Sequence, residues 1–207
     1  SDISERFINI LQKVFLIACE DTRETQKILN KFNIKNKLTS FNKVNCHDKA
    51  PKLINYLLDG KTIALVSDAG MPTICDPGEE LVKKAKEKKI DVICIPGPCA
   101  ALTALVSSGF PSSGFVFEGF LPRKKADREK ILLEISKNEK TTVMYESPHR
   151  LIKTLGELKK FCGGSRESIV HRELTKKYEE HIGSNLDEIL SHFNEFKVIG
   201  EFTIVLK

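Results

Sequence analysis

The sequence predicts a two-domain α/β protein, with a mostly parallel sheet in its first half and a mixed sheet in its second. Three observations carry that prediction. Short β-rich runs alternate with amphipathic helical runs through the first half, the pattern of parallel strands joined by crossover helices. The run Thr62-Ile63-Ala64-Leu65-Val66 is nearly all apolar, as suits a strand covered on both faces. Beyond a Gly-, Pro- and Ser-rich stretch at 108–114, several strands follow one another without a helix between them, which points to mixed or antiparallel pairing.

The elements follow in order. A helix over 4–14 presents Phe7, Ile10 and Leu11 on one side. A strand over 14–18 leads to a helix over 22–32, and a short strand over 37–41 to a helix over 50–58. That helix has Leu53, Ile54, Leu57 and Leu58 on one face and Gly60 as its stop. The strand over 62–66 precedes a helix over 78–88, then a strand over 92–95 and an apolar helix over 100–107. The domains divide as 1–110 and 111–207. The second has strands over 115–121, 141–145, 168–174, 178–183 and 201–206, and helices over 126–136, 148–161 and 186–193.

Composition narrows the function classes. The 207 residues include 33 basic and 28 acidic side chains, a net charge of +5, which permits a nucleic-acid partner without demanding one. No apolar run is long enough to span a bilayer, and no secretory signal opens the sequence, so a cytoplasmic protein is expected. The cysteines form no Cys-x-x-Cys pair, so they read as reduced thiols, with neither a disulfide framework nor a metal site.

Three loops leave the ends of apolar strands and enter helices, the edge of an open α/β sheet where ligands bind. The first is residues 67–78, Ser-Asp-Ala-Gly-Met-Pro-Thr-Ile-Cys-Asp-Pro-Gly. Asp68 has no local capping role there, whereas Asp76 and Pro77 read as an N-cap followed by a first helical proline. The second is Ile95-Pro96-Gly97-Pro98-Cys99-Ala100, a stiff turn. The third is Tyr145-Glu146-Ser147-Pro148-His149-Arg150, with acid/base candidates in Glu146 and His149 and an anion contact in Arg150. None matches the glycine fingerprint of dinucleotide sites or the P-loop. Five basic residues fall within 123–130, a run suited to tracking phosphates.

These segments, together with Glu20-Asp21-Thr22-Arg23, Phe117-Glu118-Gly119-Phe120-Leu121-Pro122 and Arg172-Glu173-Leu174-Thr175-Lys176-Lys177, stand in an order that resembles one family. It is the RsmI-type ribosomal small-subunit RNA (cytidine-2′-O)-methyltransferases of the tetrapyrrole-methylase superfamily. The resemblance covers essentially the whole sequence. It implies S-adenosylmethionine (SAM) in a cleft between two domains, a homodimer, and methylation of a cytidine ribose in 16S ribosomal RNA of the small subunit, with no metal and no membrane. Asp68, Ala69, Gly70, Met71, Pro98, Cys99, Ala100, Met144, Tyr145, Glu146 and Ser147 would then line the cofactor. Arg123, Lys124, Lys125 and Arg150 would meet RNA. Asp68, Glu146, His149 and Lys176 are the candidates for a general base.

Three departures accompany the resemblance. The family usually has Thr where Met71 stands and Ser where Cys99 stands. Its opening strand with a Gly/Pro loop, and a helical tail, lie outside this sequence. Weak SAM binding and little or no methylation by the sequence as it stands are the corresponding expectations. Two rival readings are methylation of a tetrapyrrole, disfavoured by Arg123-Lys124-Lys125, and an RNA-binding relative with impaired catalysis.

Overall fold

The computed structural model describes residues 2–207 and divides into two compact units, Ser1–Cys99 and Ala100–Lys207. In the first, the Ser4 hydroxyl caps α1 (Glu5–Lys13) by accepting the Phe7 N–H at 3.2 Å. Then come β1 (Leu16–Cys19), α2 (Thr22–Lys31), β2 (Leu38–Ser40), α3 (Cys46–Leu58), β3 (Ile63–Val66) and α4 (Glu79–Glu87). The three strands form a parallel sheet in the order β2-β1-β3. Adjacent residues of β1 point to opposite faces, so Ile17 packs with Leu11, Leu29 and Ile34 while Ala18 packs with Phe41, Leu53 and Leu81. Helices on both faces are what make the apolar strand runs continuous.

Three local expectations are corrected here. The helix expected from residue 50 starts at Cys46, because the turn before it is closed by the Asn42 N–H donating to the Asn45 side chain at 2.9 Å. The helix expected from Gly78 has Gly78 as its N-cap, at φ 137°, and begins at Glu79; Asp76 and Pro77 therefore lie upstream of it as loop residues. No strand forms over 92–95. Among the described residues β3 is an edge strand bonded only to β1, and this segment joins no ladder, leaving Val92, Ile93 and Cys94 exposed.

The second unit contains α5 (Ala100–Ser108), β4 (Phe115–Phe120), α6 (Lys125–Lys137), β5 (Thr141–Glu146), α7 (Leu151–Cys162), β6 (Ser168–Arg172), β7 (Glu180–Ile182), α8 (Leu186–Glu195) and β8 (Phe202–Leu206). Its sheet runs β4-β5-β8-β6-β7, parallel between β4 and β5 and antiparallel elsewhere. The last strand sits at the centre, and all its residues are buried. Helix α5 packs on β5 and β8, so the Gly-, Pro- and Ser-rich stretch at 108–114 lies inside this unit. Among its core residues are Leu121, Leu132, Met144, Leu155, Val170, Ile189 and Ile204.

Candidate active site

The carboxyl edge of the first sheet gathers acidic groups. Glu20 and Asp21 leave β1, and Ser67 and Asp68 leave β3. The Asp21 N–H donates to Asp68 Oδ1 at 3.1 Å, tying the two strand ends together. Asp21 itself caps α2, and the Arg23 guanidinium at 2.6 Å with the Arg23 N–H holds its carboxyl down at about 2. Glu20 is pushed up by burial and by the charges of Asp76 and Asp68. Asp76 is pushed up by burial and, against the Ser67 hydroxyl and Lys43, by Asp68. The edge is thus a set of mutually repelling carboxylates, and a cation placed among them is stabilised. Sequence reading singled out Asp68 alone. Glu20 and Asp76 join it only because neighbouring strand ends meet, a signal present in the sequence as acids directly after, or in the loop following, apolar strands.

The same edge is built for close backbone approach. Gly70 has φ 78°, and a Cβ there would lie 3.1 Å from the Pro98 carbonyl oxygen. A Cβ on Gly97 would touch Met71 at 4.0 Å. Two of the three loops singled out in the sequence are therefore in contact. Thr73 and Cys75, at φ 74° and 65°, hold left-handed conformations unusual for such residues, and strain of this kind concentrates at functional loops.

In the second unit the third loop is anchored from beneath. Met144, expected at the cofactor, is fully buried in the core, so its side chain faces away from any ligand surface. The Tyr145 hydroxyl accepts the Ala101 N–H at 3.1 Å and fixes the start of α5. Glu146, expected as an acid/base group, is 2 % exposed. Its Oε1 accepts the Ser147 N–H at 2.8 Å and lies 3.4 Å from Arg150 Nε, while its Oε2 accepts the Thr154 hydroxyl at 2.6 Å. Thr154 in turn accepts Arg128 Nη2 at 2.6 Å. Glu146 is a structural acceptor, with both oxygens committed.

Two arginines of this network grip the chain just before the basic loop. Arg150 Nη2 donates to the Leu121 carbonyl at 2.6 Å and Arg128 Nη1 to the Pro122 carbonyl at 3.4 Å. Arg150, expected at RNA, is directed inward by these bonds, and Arg128, from the same basic run, is 4 % exposed and paired with Glu157 at 2.6 Å. Arg123 and Lys124 on the loop they steady, and Lys125 at the start of α6, remain exposed. Lys176, another base candidate, pairs with Glu173 at 3.1 Å and Glu201 at 2.9 Å. Burial pulls its pKa down, but those carboxylates win and hold it up, so it stays an ammonium. Of the four acid/base candidates Glu146 alone is buried; Asp68, His149 and Lys176 are exposed, and Lys176 is held between two carboxylates.

The fold also makes two groupings that no spacing in the sequence announces. Cys46, His47 and Glu80 bring donor atoms within 4.8 Å of one another, with His47 Nδ1 2.7 Å from one Glu80 carboxylate oxygen and the Lys84 ammonium 2.7 Å from the other, so Glu80 already has a protein cation as its partner. Across β6 and β7, His171 Nδ1 lies 2.6 Å from His181 Nδ1.

Parallel strands whose carboxyl ends carry acidic and glycine-bearing loops, followed by a mixed-sheet unit, are the plan of a ligand-binding α/β protein. Residues 1–190 match the family described as Tetrapyrrole (Corrin/Porphyrin) Methylases, and the chain belongs to that family. It is 46% identical to ribosomal RNA small subunit methyltransferase I of Halalkalibacterium halodurans, over 100% of this chain and 71% of the relative. It is 43% identical to the protein of the same name from Thermotoga maritima, over 99% of this chain and 91% of the relative. Solved structures of similar fold include a cobalt precorrin-4 methyltransferase of cobalamin biosynthesis, at TM-score 0.70 and 13% identity over 99% of this chain and 88% of that one. Another is uroporphyrin-III C-methyltransferase from Thermus thermophilus complexed with S-adenosylhomocysteine, at TM-score 0.64 and 15% identity over 98% and 90%. Among the described residues, no helix is long and apolar enough to cross a membrane.

Proposed function

We propose that this protein is a SAM-dependent methyltransferase acting on small-subunit ribosomal RNA, and that its target is the ribose 2′-hydroxyl of a cytidine. It works in the cytoplasm, as a homodimer. The family membership and the names of the relatives support the reaction class. The observation that carries the site is the cluster of Glu20, Asp68 and Asp76 beside the Gly70–Pro98 contact.

That arrangement suits SAM, whose sulfonium and α-amino groups are cationic. When bound, SAM supplies an electrophilic methyl group for in-line transfer to a nucleophile. Asp68, Ala69, Gly70, Met71, Pro98 and Cys99 are the first unit's proposed contacts. Carboxylates there offset the ligand's positive charge, and the missing Cβ of Gly70 lets main chain approach. In the second unit the proposed contacts reduce to Ala100, Tyr145 and Ser147, since Met144 and Glu146 are buried. Alignment of the hydroxyl is the main contribution the protein makes to such a transfer. Asp68 and His149 are the exposed groups able to take the hydroxyl proton.

The exposed Arg123, Lys124 and Lys125 suit the phosphates of an RNA, and the names of the relatives favour RNA over a tetrapyrrole. The test is a SAM titration of the full-length protein paired with a methyl-transfer assay on small ribosomal subunits and on uroporphyrinogen. Binding with transfer to RNA only is the expected result, and transfer to the tetrapyrrole would replace this reading.

A further inference from the structure

The opposite end of the first unit's sheet carries a feature that the reaction does not use. Phe15, Lys37 and Thr62 immediately precede β1, β2 and β3, and the Phe15 N–H donates to the Thr62 carbonyl at 2.9 Å. Phe15 is 37% exposed. Lys61 Nζ lies 5.6 Å and Lys37 Nζ 5.9 Å from its ring centre. Tyr56 of α3 meets it edge-on at 5.3 Å, and Lys52 Nζ lies 5.9 Å from the Tyr56 ring. Three ammonium groups thus gather on two coupled rings. None of the three lysines belongs to an ion pair found among the described residues, and the sequence-adjacent acid Asp59 pairs with none of them.

We propose that Phe15, Tyr56, Lys37, Lys52 and Lys61 form a second RNA-contact surface, at the amino ends of the strands whose carboxyl ends hold Asp68. Aromatic faces stack on unpaired bases and neighbouring ammonium groups bind the phosphates, the combination that single-stranded RNA sites use. β1 with one residue at either end separates this surface from the acidic edge by roughly 16 Å, so only a macromolecular substrate reaches both. A cationic patch on a chain of net charge +5 disfavours a second copy of itself as the occupant, since like charges would face each other. The proposal rests on the reading of the protein as an RNA methyltransferase.

The test uses the full chain with two probes, purified small ribosomal subunits and a short unstructured oligoribonucleotide. K37E/K61E should weaken RNA affinity on the order of tenfold and make the salt dependence shallower by roughly 1.4 units for two lost phosphate contacts. Phe15→Ala should weaken it several-fold and Phe15→Trp should restore it. SAM affinity should not change. K37Q/K61Q, with thermal unfolding alongside, guards against a misfolded charge-reversal variant. Unchanged RNA affinity and slope in variants of an enzyme that still methylates subunits would overturn this inference and leave the proposed function standing. A change confined to oligomeric state, read by sedimentation, would overturn it in favour of a contact between copies. A wild-type protein that neither binds subunits nor transfers methyl would remove the proposed function and this surface together.

Discussion

The Thr154 hydroxyl donates to the buried Glu146 carboxylate at 2.6 Å while accepting a hydrogen bond from Arg128 at 2.6 Å. One small side chain thus joins α6, α7 and the end of β5. Thr154→Val keeps the shape and removes both bonds. It should cost about 1–3 kcal/mol, the range for leaving buried polar groups without a partner. Urea unfolding would measure it. Glu146→Ala, which strands Arg150 as well, should cost more.

If Asp68 offsets the charge of SAM as proposed, it does so at the expense of stability. Removing its charge in Asp68→Asn relieves the repulsion that, after burial, helps to raise Glu20 and Asp76. The variant should unfold at the same or a higher temperature than the wild type while binding SAM about tenfold more weakly or worse. Calorimetric titration and a thermal scan on one preparation would show both. A carboxylate whose pKa is raised by folding favours the folded state below its unfolded pKa and loses that contribution as pH rises through the folded value. SAM affinity should run the other way and fall as the pH drops into the carboxylate range, because the protonated edge no longer offsets a cation.

His171 sets an acid limit on the second sheet. Burial, and then the charge of His181, pull its pKa down from 6.5 to about 4 against the opposing pull of Glu179. As pH falls, the unfolded chain takes up this proton first. The stability from the neutral imidazole is therefore complete above about 6.5 and is lost as the pH falls toward 4. His171 Nδ1 and His181 Nδ1 share one hydrogen bond at 2.6 Å and His181 Nε2 faces Glu179 at 3.3 Å, while His171 Nε2 is buried with no hydrogen-bond partner among the described residues. Unfolding curves for His171→Gln should show a flatter pH dependence over that window.

Replacing Arg123, Lys124 and Lys125 by Ala should weaken RNA binding and reduce its salt slope by roughly one unit per lost contact. SAM affinity should be unaffected. Filter binding across a salt series would report the slope.

Gly70→Ala tests the contact between the first two loops. The left-handed φ of 78° and the Pro98 carbonyl 3.1 Å from the new methyl group both oppose it. A loss of about 1–2 kcal/mol is expected, with weaker SAM binding.

Local signals account for what could be read from the sequence. The apolar run ending at Val66 is legible as a strand because it is short and nearly all apolar, although its residues are only half-buried at the sheet edge, and the helix over 186–193 because of its period. Val92, Ile93 and Ile95 carry the same β-branched signal, yet a strand needs a neighbour, and the sequence does not say which edges meet. The central place of β8, last in the chain, is invisible for that reason. At the site, Asp68 stood out by its loop. Glu146 reads as an acid/base candidate because its partners Thr154, Arg128 and Arg150 come from separate turns and helices, and only their convergence shows both its oxygens to be engaged.

The most direct measurement is transfer of labelled methyl from SAM to small ribosomal subunits, followed by alkaline hydrolysis of the RNA. A 2′-O-methyl group blocks cleavage at its own nucleotide because the 2′-hydroxyl it caps is the internal nucleophile that attacks the adjacent 3′-phosphate. The account predicts one alkali-resistant, labelled dinucleotide with cytidine on its 5′ side. Label on a base, or no label in RNA from a protein that binds SAM, would contradict it.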